Sequence, residues 1–152
     1  VSSINDVIDA VAATITAATG WQCSQNWDNP PVPCVLLYAD DLGEGDTYYQ
    51  AMSRGVVTIP VVACVLVGST NNVGQQRRLN DAISPFGDSS IPQAIHQNPT
   101  LGTDPDESTA GADAAMTAKV SRVDEIGPTA MFDGTRVIQA KVRIQVLTRG
   151  DR

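Results

Sequence analysis

Ile59-Pro60-Val61-Val62-Ala63-Cys64-Val65-Leu66-Val67-Gly68 is the stretch whose reading decides the fold. An unbroken apolar run, rich in β-branched valine and closed by glycine, predicts a strand covered on both faces and hence the middle of a sheet. Each of its larger side chains contributes about 1.5–3 kcal/mol when fully buried, so the remaining elements must supply its cover.

Outward from this run, the following segment is helical. Ser69-Thr70-Asn71-Asn72 supplies an N-cap, and Val73, Gln76, Leu79, Ala82 and Ile83 recur at helical spacing up to Ser84-Pro85. A second short helix starts at Ser89 or Ser90, with Pro92 in its first turn and Ala94 and Ile95 facing inward. On the N-terminal side, Cys34-Val35-Leu36-Leu37-Tyr38 reads as a strand, and Trp21 to Trp27 as another short one before the proline-rich Asn29 to Pro33. A first helix is expected from about Ile4 to Thr19. It opens on a Ser3/Asp6 capping box, carries Ile4, Val7, Ile8, Val11, Ala12 and Ile15 on one stripe, and stops at Gly20.

The last third predicts two strands. Met116, Ala118 and Val120 alternate with polar residues, and Ile138, Ala140, Val142, Ile144 and Val146 alternate with Gln139, Lys141, Arg143 and Gln145. Gly127-Pro128 and Asp133-Gly134 punctuate the connection, Asp-Gly being a strong hairpin signal. The expectation is an α/β, more narrowly α+β, domain spanning residues 1–152. It has a small mixed or antiparallel sheet of 4–5 strands, flanked by the N-terminal helix and two short helices.

Composition bounds the function. A chain of 152 residues, 42% apolar and 18% charged, is the size of one domain and has no run of membrane-span length or leader-like start; a cytoplasmic site of synthesis and assembly is expected. The three cysteines lack C-x-x-C spacing, so neither a metal centre nor a disulfide framework is expected, and Cys64 reads as a small buried hydrophobe. The net charge of −7 opposes tight binding to a phosphate backbone. The charge is polarised, with no Lys or Arg before Arg54 and an excess of cations from Ala114 onward, so complementary faces could meet between copies.

The Asp40-Asp41-Leu42-Gly43-Glu44-Gly45-Asp46 segment misses the spacing of a calcium loop and reads as the solvated tip of a hairpin spanning 39–55. The small and polar residues from 102 to 113 form a long loop, read either as a partner-ordered arm or as a solvated connection. His96, the one histidine, has no nucleophile-elbow motif to serve and is read as a surface or capping residue. No catalytic residue, cofactor or metal is expected.

Val61 to Gly68, then Gln75-Gln76-Arg77-Arg78-Leu79, Pro85-Phe86-Gly87-Asp88-Ser89-Ser90-Ile91 with Ala94-Ile95, and Asn98-Pro99-Thr100-Leu101-Gly102 together resemble the tail terminator proteins of long-tailed phages, in particular those of actinobacteria. Asn98 stands where the family has an acid, and Thr103 replaces its second glycine. The resemblance implies a non-enzymatic virion protein at the head-tail junction. It would form a homo-oligomeric ring, usually hexameric, on the tail tube protein, end tube polymerisation and meet a head-tail stopper or other neck protein, while DNA passes through the lumen unbound and no membrane is involved. Expected contact residues are Leu42, Tyr48, Tyr49 and Met52 in the hairpin, and Lys141 and Arg143 on the outward side of the last strand. Reversing the charge of Lys141 and Arg143 is expected to weaken assembly and leave the monomer folded. Competing readings are another neck component, a tail tube subunit, or a ligand-binding domain or enzyme using the Asp40 to Asp46 carboxylates.

Overall fold

The apolar run becomes β3, Val56–Gly68, third in a five-stranded mixed sheet. The computed structural model describes residues 4–25, 32–39, 56–68, 72–101, 117–130, 134 and 136–149. In chain order the elements are α1 (Ile4–Thr19), β1 (Cys23–Ser24), β2 (Cys34–Ala39), β3, α2 (Asn72–Ile83), α3 (Ile91–Gln97), β4 (Thr117–Ala130) and β5 (Arg136–Arg149). The sheet order is β1-β2-β3-β5-β4, an α+β arrangement with the helix-rich segments inserted between strands. β1 runs parallel to β2 and every other pairing is antiparallel.

Register explains why β3 is apolar throughout. Its Val61, Ala63 and Val65 lie opposite Ile144, Val142 and Ala140 of β5, whereas Val62 and Cys64 lie opposite Arg143 and Lys141. Since successive side chains point to opposite faces, the first set faces the helices and the second faces away. On the helix side, Val7, Ile8, Val11 and Ile15 of α1, Leu79 and Ala82 of α2, and Ile91 and Ile95 of α3 close one core over the sheet. On the far side, Cys34, Leu36, Val62, Cys64, Leu66 and Val137 form a second apolar cluster. Residues Ile59 to Val67 are all buried, as a strand with two covered faces requires.

Local signals end the helices where expected. Gly20 adopts φ +77°, the left-handed conformation of a helix C-terminus, and its amide donates to the Thr16 carbonyl at 3.0 Å. Ser90 caps α3 by accepting from the Gln93 amide at 3.1 Å, and Pro92 sits in the first turn, where its missing N–H costs nothing. Trp21, buried just past α1, donates from its indole to the Ser89 carbonyl at 3.3 Å and carries the Arg78 guanidinium 4.7 Å from its ring centre. One aromatic thereby joins α1, α2 and the approach to α3.

Three expectations need correction. The strand predicted for Trp21 to Trp27 shrinks to Cys23–Ser24, held by the Val35 amide donating to the Gln22 carbonyl at 2.8 Å, and Trp27 lies outside the described residues. Val73 does not join the core stripe of α2; it is 67% exposed. Most consequentially, Gly127-Pro128 does not lie in a connection. β4 runs from Thr117 through both residues to Ala130, with register shifts between Val120 and Arg122 and between Asp124 and Gly127. An edge strand needs only half of its amides for the ladder, so it tolerates a proline and absorbs bulges that would break a central strand. Glu125 at φ +51° and Gly127 at φ +152° are the bulge.

Candidate functional site

Alternation along β5 puts Gln139, Lys141, Arg143 and Gln145 on the face away from the helices, beside the apolar cluster of β2 and β3. The pairing with β4 sets Asp124 opposite Lys141 and Arg122 opposite Arg143. The bulge then inserts Glu125 and Ile126 between paired positions, and Glu125 turns back over the same strand. Both oxygens of Asp124 accept from Arg143 Nε, at 2.9 and 3.0 Å. Arg143 also approaches Glu125 at 3.6 Å, Glu125 pairs with the Lys141 ammonium, and Arg122 reaches Asp124 at 3.1 Å.

Lys141 and Arg143, the two described members of the expected contact set, therefore share one face, with side chains only 23% and 16% exposed. Their charges are engaged within the chain. Leu42, Tyr48, Tyr49 and Met52, together with the Asp40 to Asp46 acids and the 102–113 loop, lie outside the described residues. Sequence reading missed Asp124 and Glu125 as partners because its alternating apolar pattern for the first strand of the pair stopped at Val120 and it placed Gly127-Pro128 in a connection. Folding back at the predicted Asp133-Gly134 turn already brings this segment beside Lys141 and Arg143, and the bulge then sets Asp124 opposite Lys141.

The electrostatics follow this geometry. Lys141 is held above its usual range by its hydrogen bond to Glu125, against the opposing effect of burial. Tyr38, on the same face of β2, is pushed up by burial and by nearby Cys64, an effect that Lys141 and Arg143 partly offset. Burial raises the Cys64 thiol to about 11, and the Cys34 thiol likewise to about 11. Thiols held that high are protonated at neutral pH and are poor nucleophiles or metal ligands. Among the described residues no group of three His, Cys, Asp or Glu side chains is placed to hold a metal ion. His96 lies exposed in the last turn of α3. The face thus carries three cations and two carboxylates in mutual contact, beside a cluster of apolar residues that are themselves buried.

No protein-family model matches this chain, and no curated protein matches it. No helix among the described residues is long and apolar enough to cross a membrane.

Around the bulge lies a cleft of about 390 Å³ between α2 and the ends of β4 and β5, with Leu79, Ile126, Pro128, Val137 and Ile138 in its walls and Arg136 among its polar residues. Ile126 is 57% exposed at its margin.

Proposed function

We propose that this chain is a structural subunit of a long-tailed phage particle, a tail-terminator-like protein that rings the end of the tail tube, stops its growth and joins it to the neck. The observation that carries the reading is the position of the residues that resemble that family. Val61 to Gly68 forms the central strand, Gln75 to Leu79 lies on α2, Pro85 to Ile95 forms the capped turn into α3, and Asn98 to Leu101 closes the unit with the Leu101 amide donating to the Asn98 carbonyl at 3.0 Å. The resemblance thus falls on one consecutive unit at the centre of the fold.

A closed ring requires that one face of each copy meet a different face of the next. The polarised charge of the chain suits such heterologous contacts. A net charge of −7 also suits a channel through which DNA slides without sticking.

Native mass spectrometry of the 16.0 kDa chain, followed by electron microscopy after mixing with tail tubes, tests the reading. Rings of about six copies, or density capping one end of each tube, are expected. A strict monomer that never caps a tube at any salt concentration sinks the reading, and long self-stacked tubes would make the chain a tube subunit instead.

A further inference from the structure

Phe86 is 79% exposed, the most exposed large hydrophobic side chain among the described residues. It does not sit on a loose tip. Ser90 donates its hydroxyl to the Ser84 carbonyl, the Ser90 amide donates to the Gly87 carbonyl at 3.1 Å, and the Gly87 amide donates to Gln93 Oε1 at 2.7 Å. The turn from Ser84 to Ser90 is therefore tied on both sides of Phe86, and Trp21 anchors its end through Ser89. A ring held out by a rigid turn loses little conformational freedom on docking, which is the property of an interface anchor.

The same molecule carries a cleft large enough to take a phenyl ring. The cleft between α2, β4 and β5, about 390 Å³, is larger than the ~150 Å³ that suffices to hold a benzene ring. Its apolar walls match a phenyl group, and Arg136, exposed, lies in its lining. Two residues after Phe86, Asp88 is also exposed. Neither Asp88 nor Arg136 takes part in an ion pair among the described residues. An aromatic knob with an acid beside it and an apolar cleft with a cation beside it are complementary in shape and in charge.

We propose that Phe86 of one copy seats in the α2–β4–β5 cleft of a second copy, with Asp88 paired to Arg136 of that copy. The occupant is another copy of this chain because the knob, its acid, the cleft and its cation all belong to one sequence. The contact deepens the ring reading and rests on it in taking the partner to be a like subunit.

The test uses the full chain and sedimentation velocity across a range of concentrations. Phe86→Ala is expected to raise the dissociation constant of self-association by at least about thirtyfold, as loss of a central aromatic anchor does. Asp88→Arg and Arg136→Asp each place like charges at the contact and are expected to weaken it by about tenfold. When the two single variants are mixed, the knob of the Asp88→Arg chain meets the cleft of the Arg136→Asp chain with the charges exchanged, and the next contact keeps the original Asp88 and Arg136 pair. Equimolar mixing should therefore restore wild-type assembly. All three positions are exposed, so the circular dichroism spectrum, and the melting temperature at concentrations where every chain is monomeric, should be unchanged. If wild type assembles and the variants assemble equally well, the contact is wrong and the ring reading stands. If Phe86→Ala assembles normally but no longer caps tail tubes, the knob faces another protein and the self-contact is overturned. A wild-type chain that stays monomeric at every concentration and never caps a tail tube overturns both, whereas one that is monomeric in solution but caps tubes overturns the self-contact if Phe86→Ala caps them equally well.

Discussion

Arg143 offers the sharpest test of how the two outer strands are held together. Its side chain is 16% exposed and lies on both oxygens of Asp124, whereas Arg122 reaches the same carboxylate while 65% exposed. Exposed pairs are worth about 0.2–1 kcal/mol, and removing one partner of a buried pair costs about 3–5 kcal/mol. Arg143 stands between these limits, with Asp124 itself 31% exposed and still paired to Arg122 after the change. We predict that Arg143→Met costs about 1–2 kcal/mol and Arg122→Met less than about 0.5 kcal/mol. Arg143→Glu adds a third carboxylate beside Asp124 and Glu125. Like charges about 4 Å apart at an effective dielectric of about 20 repel by up to ~4 kcal/mol, and side-chain relaxation and solvent reduce this, so about 2–4 kcal/mol is expected. That is a large part of the roughly 5–15 kcal/mol that stabilises a domain. We predict that charge reversal at Arg143 costs the subunit stability as well as any assembly contact, so assembly is better read out through milder variants. Urea unfolding followed by tryptophan fluorescence, to which buried Trp21 contributes, at several protein concentrations to separate folding from association, gives the three values. Equal costs for Arg143→Met and Arg122→Met with an unchanged denaturant slope would refute the reasoning.

Other outcomes follow from single contacts. Ile144→Ala, at a fully buried position opposite Val61, should cost about 2–5 kcal/mol in the same unfolding experiment, with the upper end expected if the core cannot close over the cavity. Ser90→Ala removes both the cap on the Gln93 amide and the hydroxyl donor to Ser84, and should lower stability by about 1–2 kcal/mol while increasing amide exchange in the first turn of α3. Burial raises the folded-state thiols of Cys34 and Cys64 from 9.0 to about 11, so the unfolded chain ionises first; their contribution to stability is complete below pH 9 and is lost as pH rises toward 11. Titrating the urea midpoint between pH 8 and 10.5 checks the sign, and a rising midpoint would contradict it. The same burial should keep both thiols from alkylation until the chain unfolds.

Much of the fold could be read from residue order because its strongest signals are local. The β-branched run at Ile59 to Val67, the stripe on α1 stopped by Gly20, the Ser90 and Pro92 start of α3 and the period-two pattern of β5 each depend on residues a few positions apart. β4 was legible only in part. Gly127-Pro128 signals a turn in any local reading, and only a place at the sheet edge lets a strand carry both. The candidate surfaces were less legible again. Lys141 and Arg143 were found by alternation, yet their engagement with Asp124 and Glu125 depends on the register between β4 and β5 and on a bulge within it.

Sequence alone determined the type of each major element, the central position of β3 and the absence of paired-cysteine spacing, since hydrophobic periodicity and capping are written in neighbouring residues. Tertiary structure decided the order β1-β2-β3-β5-β4, the neutralisation of the β5 cations, the exposure of Phe86 and the cleft beside Arg136. Each of these depends on which segments become neighbours and in what register. Exposure and ion pairing are properties of the packed chain, and a residue's identity sets only what it can do once its surroundings are in place.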